Sequence, residues 1–116
     1  WASLMEDLKE RGLLETTTII WMGEFGRTPM INPSGGRDHF PRAWTTVLAG
    51  GGIAGGQAYG KTSEDGQSVV DGQITVQDLL ATLCEAIGIG GDATNQAPDG
   101  RPIPIAEGTP ISQVLA

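Results

Sequence analysis

The sequence predicts an α/β fold with a mainly parallel sheet, and three stretches carry that prediction. "ETTTIIWM" (residues 15–22) is rich in β-branched and aromatic types, and its apolar end from Ile19 to Met22 suits a strand covered on both faces. "AWTTVLAG" (residues 43–50) reads as a second buried strand. "VQDLLATLCEAI" (residues 76–87) sets Val76, Leu79, Leu80, Leu83 and Ile87 on one helical stripe. Helices alternating with buried strands are the α/β signature.

In chain order, residues 3–12 open with Ser3 and Glu6 at capping-box spacing and stop at Gly12, so a short helix is expected. The first strand follows. Residues 23–42 are dominated by turn formers and read as one long ordered loop, of a length that is usually functional or mobile. The second strand ends in the run Gly50 to Gly52. Residues 57–62 suit a short strand and 63–73 read as turns. The clearest helix, 76–87, begins with Thr75 and Asp78 at capping-box spacing and ends at Gly88. Beyond it no period is visible, although 101–105 would serve as an edge strand, since Pro102 and Pro104 forbid a central one.

Composition narrows the function classes. The chain of 116 residues carries a net charge of −7, which argues against a nucleic-acid surface. No apolar run approaches the length of a membrane span. The chain opens on Trp1 with no leader after it, so any targeting segment is expected upstream or already removed. The single Cys84 excludes an internal disulfide and reads as a small buried hydrophobe. The 18 glycines, about twice the usual share, fall in clusters that look like turns.

One motif matches in letters only. "GGQAYGKT" (residues 55–62) fits the phosphate-binding pattern that ends in Lys-Thr. That loop needs a helix to begin at the Lys-Thr end, so that its N–H groups face the phosphates. The continuation "SEDGQSVVDG" has two glycines and no helical period, so no nucleotide is expected.

The stretch "GEFGRTPMINPSGGRDHF" (residues 23–40) holds the only histidine of the chain, with Glu24, Arg27, Arg37 and Asp38 close in sequence. A carboxylate just past the end of a buried parallel strand sits where open α/β sheets place ligands. A loop of this length can bring His39 back to Glu24. Carboxylate and imidazole are common donors to Zn²⁺ or Mn²⁺, although three or four donors make a site. The plainer reading is a histidine satisfied by Asp38 or by a backbone carbonyl. For Arg27 and Arg37 it is surface ion pairing, and for Asp38 turn initiation after Gly35-Gly36.

The stretches "GEFGRTP" and "GGRDHFP", with "TVQDLLATLCEAIGI" and "DGRPIPIAEGTPISQVL", resemble the carboxy-terminal part of the DUF1501 proteins. These are long bacterial proteins related to the alkaline phosphatase and sulfatase superfamily. The resemblance implies that residues 1–116 are the carboxy-terminal part of one three-layer sandwich domain whose upstream part is missing. It implies a metal-dependent hydrolase of phosphate or sulfate esters, inactive as a fragment, with Zn or Mn as cofactor and export to the periplasm or envelope. Glu24 then stands for the aspartate of the superfamily's Asp-His pair and His39 for its later histidine ligand. Asp38 would orient the His39 ring, and Arg27 and Arg37 would hold the oxyanion. The nucleophile would lie upstream. Phe25 departs from the pattern, because phenyl replaces the paired histidine and cannot bind metal. A non-catalytic binding or structural module with a decayed metal site is the alternative.

Overall fold

A computed structural model describes residues 1–116. In chain order its elements are α1 (Ala2–Glu10), β1 (Thr18–Trp21), β2 (Gly26–Arg27), β3 (His39–Phe40), β4 (Val47–Gly50), β5 (Lys61–Thr62), β6 (Val69–Asp71), α2 (Val76–Ala86), β7 (Thr94–Gln96) and β8 (Pro102–Pro104). Short 3-10 turns sit at Leu14–Thr16 and Ser112–Val114. The chain divides into two compact units. The first is Trp1–Ile19, Leu48–Gln57 and Ile74–Ala116, and the second is Ile20–Val47 and Ala58–Gln73.

The expected mainly parallel three-layer sandwich is not what the chain forms. Every sheet is a two-stranded antiparallel pair: β1 with β4, β2 with β3, β5 with β6, and β7 with β8. A parallel pairing needs a crossover, usually helical. Between β1 and β4 the chain instead makes the β2–β3 hairpin. The Gly51 N–H donates to the Thr17 carbonyl at 3.1 Å, and the Thr18 hydroxyl donates to the Gly51 carbonyl at 2.7 Å. The apolar run Ile19–Met22 is only partly covered: Ile19 and Ile20 are half-buried, whereas Trp21 is 60% exposed and Met22 41%.

In the first unit the two helices stop by the same device. Gly12 and Gly88 take φ of 68° and 83°, a region glycine enters without a Cβ penalty. Around them Leu13 N–H donates to Leu8 O and Ile89 N–H to Cys84 O, the six-to-one bonds of a Schellman end. The starts differ. α2 has the expected capping box: Thr75 Oγ1 accepts from the Asp78 N–H at 3.2 Å, while Asp78 Oδ2 accepts from the Thr75 N–H at 2.7 Å. α1 begins before Ser3, with Trp1 at its N-cap and no side-chain cap, so Ser3 and Glu6 do not act as a box.

The buried face of α2 also differs from the expected stripe. Leu79, Ala81 and Thr82 are buried, whereas Val76, Leu80 and Ile87 are 49%, 52% and 59% exposed. Cys84 is a free, half-buried thiol. Thr82 is the one fully buried side chain, and it ties the carboxy-terminal segment to the helix. Its hydroxyl donates to Asp78 O at 2.6 Å and accepts from the Ile111 N–H at 2.9 Å. Asp78 Oδ1 accepts from the Thr109 N–H at 2.9 Å. The N–H groups of Thr75 and Thr109, with the Thr75 hydroxyl, hold the Asp78 carboxyl below the ordinary carboxylate range. Thr82→Val keeps the shape and strands the Ile111 N–H, so it is expected to cost about 1–3 kcal/mol in chemical denaturation.

Residues 94–104, read as aperiodic apart from an edge strand, form the β7–β8 hairpin, with Asn95 opposite Ile103. Pro102 and Pro104 are tolerated because each strand of a pair keeps a free edge. The second unit holds β2–β3 and β5–β6. Lys61 and Thr62 form β5, opposite Asp71 and Val69, and no helix starts there.

Candidate functional site

The long loop of the sequence is a hairpin with a built tip. β2 and β3 pair antiparallel with Gly26 opposite Phe40 and Arg27 opposite His39. Gly26 is required at its position, because a Cβ there would overlap the Ala43 carbonyl oxygen. Beyond Arg27 the tip is organised by Asn32. Its Oδ1 accepts from the Ser34 and Gly36 N–H groups, both at 3.0 Å, and its Nδ2 donates to Asp38 Oδ1 at 3.0 Å. Thr28 closes the other side, with its N–H donating to Asp38 O and its hydroxyl accepting from the Asp38 N–H. Neither Asn32 nor Thr28 stood out in the sequence, although an Asn before Pro-Ser-Gly-Gly is the pattern of a side chain capping its own turn.

This geometry sorts the predicted residues. His39 is exposed, and its ring lies against Phe25, with centroids 4.2 Å apart and planes tilted by 39°. Glu24, exposed and next in chain to Phe25, enters the same hairpin from its amino-terminal side. The Arg27 guanidinium carbon lies 5.2 Å from the Phe25 ring centre, within cation–π range. Phe25, Arg27 and His39 are therefore gathered at one end of one hairpin, and Glu24 is the residue that precedes Phe25 in the chain.

Two other residues serve the loop instead. Arg37 Nη1 donates to the Thr28 carbonyl at 2.7 Å and to the Pro29 carbonyl, so it struts the tip. Asp38 gives its carboxylate to Asn32 and not to His39. Adjacent residues of an extended strand face opposite ways, so Asp38 is badly placed to orient its own neighbour. The two ion pairs of the chain, Arg11–Asp7 and Arg101–Asp99, lie outside the hairpin. The hairpin arginines are therefore not engaged in surface salt bridges.

Charge is unevenly shared. The second unit sets Arg27, Arg37, Arg42 and Lys61 against Glu24, Asp38, Glu64, Asp65 and Asp71, which is close to balance. The first unit sets only Lys9, Arg11 and Arg101 against nine carboxylates. Taken by itself, the second unit therefore repels an anion less than the first does.

Glu24 and His39 fit the donor chemistry of Zn²⁺ or Mn²⁺: one carboxylate and one imidazole, both exposed. No three His, Cys, Asp or Glu side chains of the chain gather as a metal-holding group, however. The pair fits as part of a site and not as a whole one, because three protein ligands are the usual minimum for a catalytic zinc. No helix of the chain is long and apolar enough to cross a membrane.

Neither a curated protein nor a solved structure matches the chain. The family profile of DUF1501, described as a protein of unknown function, matches residues 1–115, nearly all of the sequence. The chain belongs to the DUF1501 family.

Proposed function

We propose that this chain contributes the Glu24–His39 end of its β2–β3 hairpin to a metal-dependent hydrolase of phosphate or sulfate esters. The observation that carries the reading is the gathering of the His39 imidazole and the Arg27 guanidinium on Phe25, with the exposed Glu24 next to Phe25 in the chain. A bound Zn²⁺ or Mn²⁺ would polarise an ester oxygen and lower the pKa of a bound water or hydroxyl. Glu24 and His39 would supply two of its ligands. Arg27, the hairpin arginine not tied to backbone carbonyls, would hold the anionic ester oxygens through paired N–H donors. Arg37 keeps the tip in shape and leaves that task to Arg27.

Kinship to the alkaline phosphatase and sulfatase superfamily belongs to the same proposal. It rests on residue order (Glu24, His39, a strand ending in glycines, then α2) and not on sheet architecture. We place the remaining ligands and the nucleophile in further polypeptide of the same protein. The exposure of Leu4, Val76, Leu80 and Ile87, each between 49% and 59%, supports such a partner, because side chains of this kind usually lie inside.

A second reading is a non-catalytic module that keeps the hairpin without metal chemistry. Phenyl at position 25 and the lack of any group of three metal-holding side chains favour it. Turnover separates the two. The intact protein, loaded with Zn²⁺ or Mn²⁺, is expected to hydrolyse an aryl phosphate or an aryl sulfate, and Arg27→Ala is expected to lower kcat roughly 100-fold. Failure to cleave either ester under every loading condition leaves only the module.

A further inference from the structure

Phe25 looks like a loss in the sequence, a phenyl where a donor is expected, yet it touches both groups that the site needs. Its ring lies 4.2 Å from the His39 ring and 5.2 Å from the Arg27 guanidinium carbon. The register explains why. Arg27 is directly opposite His39, and Phe25 is two residues before Arg27, so the three side chains can share one face of the hairpin. Phe25 is half-buried, while Arg27 and His39 are exposed. A fixed ring thus carries two accessible side chains that would otherwise sample several rotamers.

We propose that Phe25 is a positioning residue, which fixes the His39 imidazole and the Arg27 guanidinium relative to each other by stacking both on its ring. This deepens the metal-dependent reading above and rests on it for the identity of the ligand. An aromatic ring packed against an imidazole limits ring rotation while leaving both nitrogens at its edge, free to bind metal. The usual means of orienting a metal-binding histidine is a hydrogen bond from its second nitrogen. Asp38, the neighbouring acid, is committed to Asn32. Stacking takes the place of that hydrogen bond.

The test uses the intact protein and three variants: Phe25→Leu, which keeps an apolar side chain but no ring, Phe25→Trp, which keeps a ring, and His39→Ala. His39 is the only histidine of the chain, and His39→Ala identifies its signals in a histidine-labelled sample. The ring protons of His39 report Phe25 directly through its ring current. In Phe25→Leu they are expected to move to the positions of a free histidine, and in Phe25→Trp to stay displaced. Zn²⁺ titration is expected to give a Kd raised roughly tenfold in Phe25→Leu and close to wild type in Phe25→Trp. Unmoved His39 resonances in Phe25→Leu overturn the proposal. So does an unchanged Zn²⁺ affinity in Phe25→Leu when His39→Ala abolishes binding. Should His39→Ala leave Zn²⁺ binding intact, the metal reading fails, and the resonances alone decide whether Phe25 holds the imidazole.

Discussion

Gly52→Ala is expected to unfold the first unit, at a cost of more than about 4 kcal/mol, in the range of exceptional single substitutions. Two penalties combine. Gly52 has φ of 74°, where a Cβ costs about 1–2 kcal/mol. The added Cβ would also overlap the backbone of Ala86, at the last residue of α2. That backbone cannot move aside alone, because the Schellman end at Gly88 fixes the same turn. Gly52 also accepts from the Ala116 N–H, so a shift there releases the carboxy-terminal segment. Gly88→Ala is the control. Its φ is 83°, but a Cβ meets nothing within 4 Å, so only the conformational penalty of about 1–2 kcal/mol is expected. Equal losses in the two variants, read by denaturant titration, would show that close approach contributes nothing.

The same comparison shows which parts of the fold the sequence could specify. The end of α1, the whole of α2 and the turn role of Gly12 and Gly88 are local properties, written in residues within one or two turns of each other. They were legible. The buried face of α2 was not. Apolar residues cover more than half of its circumference, so the period that reveals the helix does not say which side packs. Leu79 and Thr82 face inward, and Val76, Leu80 and Ile87 do not. The sheet was misread for a related reason. Continuous apolar runs such as Ile19–Met22 are compatible with a covered parallel strand, but pairing direction depends on the connection, which turned out to be a hairpin. β7 escaped notice because Thr94, Asn95 and Gln96 are polar and exposed, so no hydrophobic alternation marks them.

The candidate site divides in the same way. That Glu24 and His39 belong to one loop follows from their spacing. That His39 rests on Phe25, and that Asp38 serves Asn32, depends on hairpin register, which a run of glycines and prolines does not encode. Arg27 and Arg37 look equivalent in the sequence. The structure separates them, because only Arg37 is tied to backbone carbonyls of the tip.

The second large effect concerns the metal itself. One ligand lost from a site of three or four leaves too few donors for tight binding. Glu24→Ala and His39→Ala are each expected to weaken Zn²⁺ binding by more than the tenfold to hundredfold typical of groups that merely support a ligand. Asp38→Asn, which keeps a side chain that can still pair with Asn32, is expected to leave it nearly unchanged. The direct measurement is metal content by elemental analysis of the intact protein and these three variants, after loading and dialysis. Near-stoichiometric Zn²⁺ or Mn²⁺ in the wild type and in Asp38→Asn, with loss in both alanine variants, is the expected result. Retention of a full complement of metal by Glu24→Ala and His39→Ala would contradict the assignment of the hairpin as a metal-binding end.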